Sequence, residues 1–211
     1  MSRVRIKFCG LTRAADVERA VALGVDAIGL VLTPRSKRRL DPQAARELRR
    51  QIPPFVTAVA LFMDDDPAWV AEAISIVQPD LLQFHGGESA ADCLRHGRRY
   101  LKAVPMGAGD PLAVIAQHPA ATGFLLDSHA PGASGGSGVA FDWSRTPRGV
   151  ESALILAGGL TCDNVGSAVR AVRPYAVDVS SGIESAPGIK DADKMRRFIE
   201  EVERAGSQSE N

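Results

Sequence analysis

Cysteine is scarce in this chain: Cys9, Cys93 and Cys162 are the whole supply, far apart and with no C-x-x-C pair. An odd, scattered set argues against a disulfide framework and against a zinc site. No apolar run approaches the ~20 residues that a membrane helix needs. The opening Met1-Ser2-Arg3-Val4-Arg5-Ile6 lacks the apolar centre of a signal peptide. Neither sign of charge is in excess, with 25 Lys and Arg against 25 Asp and Glu, so nothing draws the chain as a whole to nucleic acid. No G-x-G-x-x-G follows the first apolar run, which weakens a dinucleotide-binding reading. What remains is a globular composition, 45% hydrophobic and 24% charged over 211 residues, with enough apolar side chains for a sizeable core. The expected setting is cytoplasmic, reducing and free of metal.

Eight short apolar runs recur, at 4–9, 27–32, 57–63, 81–84, 100–104, 123–126, 153–156 and 176–179. Most are continuous rather than alternating, as in parallel strands covered on both faces. Helical patterns separate them, at 13–23, 42–51, 67–77, 89–96, 111–117, 163–172 and 191–205, with a weak one near Asp142 to Arg145. Gly24 closes the first as a C-terminal signal. Asp41-Pro42 and Asp66-Pro67 open the next two, an N-cap followed by proline in the first turn. Eight strands alternating with about eight helices predict an α/β fold. An eight-fold (β/α)8 barrel and an open doubly wound sheet compete, and the count of eight favours the barrel. One domain over 1–205 is expected, with a disordered tail at 206–211. The Gly/Ser-rich stretch at 129–138 follows a strand end, so a flexible linker and a mobile active-site loop are both open.

In a parallel barrel, polar residues at the C-terminal ends of strands face a shared mouth. Cys9 ends the first strand. A free thiol is often simply buried, but at this place it is a candidate base, with Lys7 on the same side of the strand to tune it. Asp127 ends the apolar run Phe124-Leu125-Leu126, where an unpartnered carboxylate is costly; an N-cap or ion pair is the plain reading, a general acid the functional one. Gly158-Gly159 after the seventh strand and Ser180-Ser181-Gly182 after the eighth are candidate phosphate loops, since adjacent Gly/Ser loops let backbone N–H groups reach an anion. In the basic run from Arg35 to Arg39, one arginine over the mouth would suit a substrate carboxylate; a solvated loop or RNA contact is the alternative. Gln83 and His85 alternate with Leu82 and Phe84 and so both point one way. His85 is either a substrate-facing group or a hydrogen-bonded structural one. Asp178, inside the last strand, needs a partner or a substrate group.

Taken together, Lys7-Phe8-Cys9-Gly10-Leu11-Thr12, Ser36-Lys37-Arg38, Gln83-Phe84-His85-Gly86, Leu126-Asp127, Gly135-Gly136-Ser137-Gly138 with Phe141-Asp142-Trp143, Ala157-Gly158-Gly159-Leu160 with Asn164-Val165, and Asp178-Val179-Ser180-Ser181-Gly182 resemble the phosphoribosylanthranilate isomerase family over nearly the whole chain. Phe8 departs from the family's usual Ile, a change of core volume. The resemblance implies a cofactor-free and metal-free barrel enzyme of tryptophan biosynthesis. It implies an Amadori rearrangement of N-(5-phosphoribosyl)anthranilate to 1-(2-carboxyphenylamino)-1-deoxyribulose 5-phosphate. Cys9 would be the base, Asp127 the acid, and Arg38 the holder of the anthranilate carboxylate, with Gln83, His85 and Asp178 also against substrate. Gly158, Gly159, Ser180, Ser181 and Gly182 would hold phosphate. The implied partner is a small phosphosugar, with no nucleic acid or membrane, on a monomer or weak homodimer. The same barrel also admits the histidine-pathway isomerase, a dual-substrate enzyme or a silent phosphosugar-binding protein. Two aspartates serve the histidine-pathway reaction, so Cys9 speaks against it, and a silent binder has no need of the Cys9 and Asp127 pair.

Overall fold

A computed structural model describes residues 3–107, 109–128 and 141–207. Eight parallel strands close into a barrel in sequence order: β1 Arg5–Cys9, β2 Ala27–Val31, β3 Thr57–Phe62, β4 Leu81–Phe84, β5 Tyr100–Pro105, β6 Gly123–Asp127, β7 Ala153–Leu156 and β8 Ala176–Val179. The helices are α1 Ala14–Ala22, α2 Pro42–Arg50, α3 Pro67–Val77, α4 Ala90–Leu94, α5 Pro111–Gln117, α6 Val165–Val172 and α7 Ala192–Ser207. The open-sheet alternative is thereby excluded. Asp41 and Asp66 cap α2 and α3 by accepting two backbone N–H groups each, and both helices carry proline in the first turn. Ser89 and Asp92 form a reciprocal capping box on α4.

Alternation along the strands sorts the core into two shells. Outward residues such as Phe8, Ile28, Leu30, Phe62, Leu82, Phe84 and Phe124 form one large apolar cluster with the helices. Inward residues Leu101, Ala103, Leu125, Ile155, Ala157 and Ala176 plug the barrel, and Cys9, Val31 and Leu61 form a small inward layer of their own.

The structure departs from the sequence expectation in three places. Among the described residues, α-helices number seven, and between β6 and β7 only a 3-10 turn appears, Trp143–Arg145, near the weak helical pattern. Of the expected tail, Gly206 and Ser207 instead extend α7, and 208–211 lie outside the described residues. An unforeseen hairpin, β9 Glu184–Ala186 with β10 Ile189–Lys190, follows a 3-10 turn at Ser181–Ile183. The Gly/Ser-rich stretch at 129–138 falls outside the described residues.

Candidate active site

Because side chains alternate, the residues that end each strand inward gather at one mouth. A cleft with about 600 Å³ of free space, part of it open to solvent, is lined by Cys9, Arg38, Gln83, His85, Asp127, Asp178 and Ser180, with Thr33, Arg35 and Ser36 among their neighbours. Seven expected site residues from five chain segments therefore share one cavity. Gly158, Gly159, Ser181 and Gly182 do not line it. They sit beside it, and their two loops touch: a Cβ on Gly182 would overlap the carbonyl oxygen of Leu160. Gly158 and Gly159 take left-handed backbone angles, φ 74° and 65°.

Cys9 pairs in register with Gly29 of β2, and a Cβ on Gly29 would come within 2.7 Å of the Cys9 sulfur. The thiol thus fills space that any larger residue at position 29 would claim. Burial pushes the Cys9 thiol pKa up. Lys7 and Lys190 pull against that rise and Asp178 adds to it. The Lys7 influence anticipated from sequence is present, but desolvation outweighs it. Lys7 Nζ donates to Asp178 Oδ1 at 2.8 Å, which gives Asp178 the partner it required.

Gln83 Nε2 and His85 Nδ1 lie 3.2 Å apart, and His85 Nε2 lies 3.4 Å from Asp127 Oδ2. The imidazole thus lies between the Gln83 amide and the Asp127 carboxylate. Lys102 of β5 pairs with Glu88 at 2.9 Å, and Glu88 also accepts from the Gly86 and Asp64 amides. That fixes the turn carrying His85.

Arg38 is held by a protein carboxylate. Its Nε and Nη2 donate to Glu184 Oε1 and Oε2 at 2.8 and 2.7 Å. Lys190 Nζ donates to Glu184 Oε1 at 2.9 Å and to the Ser180 carbonyl at 3.0 Å, while Ser180 Oγ donates to the Cys9 carbonyl at 3.0 Å. Burial pushes the Glu184 pKa up, but the hydrogen bonds from Arg38 and Lys190 overcome it and hold the carboxyl below its ordinary value. Burial, by contrast, lowers the Lys190 ammonium. Glu184 and Lys190 were missed from sequence. The available signal was the Pro187-Gly188 turn between two polar residues.

A family model described as N-(5'phosphoribosyl)anthranilate (PRA) isomerase matches residues 6–201. The chain belongs to this family. The N-(5'-phosphoribosyl)anthranilate isomerase of Stenotrophomonas maltophilia is 52% identical over 206 residues, covering 96% of this chain and 94% of its own. The phosphoribosyl anthranilate isomerase from Thermus thermophilus superposes with a TM-score of 0.85 at 36% identity, covering 94% of this chain and 98% of its own. A phosphoribosyl anthranilate isomerase solved in complex with reduced 1-(o-carboxyphenylamino)-1-deoxyribulose 5-phosphate superposes with a TM-score of 0.80 at 35% identity, covering 94% and 98%. As a member of this isomerase family the chain acts on a small phosphosugar, and the mouth of its barrel holds a thiol, a carboxylate and an arginine together. No described helix is long and apolar enough to cross a membrane.

Proposed function

We propose that this cavity carries out the family's Amadori rearrangement with Asp127 as general acid and Cys9 as general base. The carrying observation is that both groups, from β6 and β1, turn inward into one cleft with Arg38 at its rim. Asp127 protonates the ribose ring oxygen. The C1–O bond breaks as the anthranilate nitrogen pushes its lone pair in to form an iminium. The iminium acidifies the proton on ribose C2, the Cys9 thiolate removes it, and the electrons return to nitrogen as an enolamine. That enolamine loses its C2 hydroxyl proton and gains one at C1, giving the ketone. Asp127 has lost one proton and Cys9 has gained one, so exchange with solvent resets the pair. The substrate's nitrogen is the electron sink, so the chemistry asks for no further group.

Arg38 is proposed to hold the anthranilate carboxylate through its planar fork. Gln83, His85 and Asp178 face the sugar, and the Gly158-Gly159 and Ser180-Ser181-Gly182 loops hold phosphate. What supports the last assignment is that these loops follow adjacent strands β7 and β8 and touch one another. A working Cys9 thiol fits a reducing, cytoplasmic setting. A monomer or weak homodimer is proposed, supported by one barrel holding the whole set. Sedimentation at working concentration checks it; a tight dimer at nanomolar protein would reject it.

The deciding assay follows loss of anthranilate-type fluorescence as phosphoribosylanthranilate is consumed. Cys9→Ala should lose about 10²–10⁴-fold in turnover while still folding. A folded Cys9→Ala enzyme with near-native turnover would sink the assignment.

A further inference from the structure

We infer that Glu184 is the positioning residue of the carboxylate subsite: it grips Arg38 by one edge and leaves the other edge for the substrate. The inference rests on Arg38 being the carboxylate holder, as proposed above.

A guanidinium has five N–H donors in a fixed plane. Glu184 takes the Nε and one Nη2 donor. Both Nη1 hydrogens and the second Nη2 hydrogen have no partner among the described residues, and Arg38 lines the cleft. The Nη1–Nη2 edge is the one that matches a carboxylate two-for-two. A long side chain left loose would have to be ordered at every binding event; one already clamped does not.

Glu184 is itself immobilised. Oε1 accepts from Lys190 Nζ and from the Gly188 amide at 3.2 Å, and the Glu184 carbonyl accepts from Lys194 Nζ at 2.7 Å. The contact spans 146 residues and ties the loop after β2 to the hairpin after β8. Arg38 and Lys190 share this single carboxylate, so the trio carries one positive charge in excess. A neutral Arg38–Glu184 pair would offer little to an anion; this trio keeps a field that favours one.

Glu184→Gln tests this. The amide keeps the volume but has one acceptor oxygen, which cannot serve Arg38's fork, Lys190 and the Gly188 amide together. Calorimetry would compare three ligands: the reduced carboxyphenylamino-deoxyribulose phosphate analogue, the same molecule without its carboxylate, and inorganic phosphate. Glu184→Gln should weaken the carboxylate-bearing analogue about tenfold, the size of a lost charge-assisted hydrogen bond, and leave the other two within about twofold. The kinetic loss should fall on KM more than on kcat. Equal weakening of all three ligands would mean that the hairpin has collapsed, and would overturn the inference. Unchanged or tighter binding of the carboxylate ligand would also overturn it, since Glu184 would then be idle or a competitor. Arg38→Ala separates this from the underlying reading. If Arg38→Ala still discriminates between the ligands with and without carboxylate, the Arg38 assignment itself fails. If it loses discrimination while Glu184→Gln keeps it, only the role of Glu184 fails.

Discussion

Lys7 on β1 and Asp178 on β8 are register partners, and their side chains meet at 2.8 Å inside the barrel. Only 5% of the lysine and 9% of the aspartate side chain is exposed, so water screens neither charge well. The pair lies one inward step below Cys9, whose thiol feels both: the ammonium favours the thiolate and the carboxylate opposes it. Such a pair adds little net stability as a unit but is costly to break.

Breaking it from either side should therefore give opposite effects on Cys9. Lys7→Met strands the Asp178 charge and should lower stability by about 3–5 kcal/mol in urea titration. It also removes the cation that most favours the thiolate, so the pH midpoint for alkylation of the Cys9 peptide by iodoacetamide, followed by mass spectrometry, should rise. Asp178→Asn frees the Lys7 charge, and the midpoint should fall. Shifts in the same direction would show that the pair does not set the thiol electrostatically.

Gly182 packs its bare α-carbon against the loop after β7. A Cβ there would overlap the Leu160 carbonyl oxygen, a backbone atom with no rotamer in which to escape. Gly182→Ala should push the two loops apart and cost roughly 1–3 kcal/mol as overpacking does. Inorganic phosphate and the phosphate-bearing product analogue should both bind more weakly, and a carboxyphenyl ligand without phosphate should not. Phosphate affinity equal to wild type would remove these loops from the phosphate site.

The parts legible in the sequence were those governed by short periods. Gln83 and His85 alternate with Leu82 and Phe84, and that alternation does carry both into the cleft. Asp41-Pro42 and Asp66-Pro67 announce helix starts because one side chain and one ring do the capping locally. The hairpin at Glu184–Ala186 and Ile189–Lys190 was not legible, since strands of three and two residues have no period to detect. Nor was the grip of Glu184 on Arg38, which joins loops distant in sequence by charge alone. The Cys9 thiol was harder still. Its ionisation depends on burial against Lys7, Lys190 and Asp178 together, and no single spacing encodes that sum.

Asp127→Asn is the sharpest test of the acid. The amide keeps the shape and can still face His85, whose Nε2 lies 3.4 Å from Asp127 Oδ2, but it has no proton to give to the ring oxygen. If Asp127 is the acid, kcat should collapse by about 10²–10⁴-fold. Affinity for the product analogue should stay within a few-fold, because the loss falls on the transition state. The pH profile adds a second readout. Burial raises the Cys9 pKa, so the thiolate fraction climbs as pH rises through neutrality and beyond the usual thiol range. The Asn variant has no acid proton to lose, so its residual kcat/KM should follow that rise alone. Substantial turnover by Asp127→Asn with an unchanged pH profile would reject Asp127. Asp178, the other carboxylate lining the cleft, would then be the candidate acid despite its pairing with Lys7.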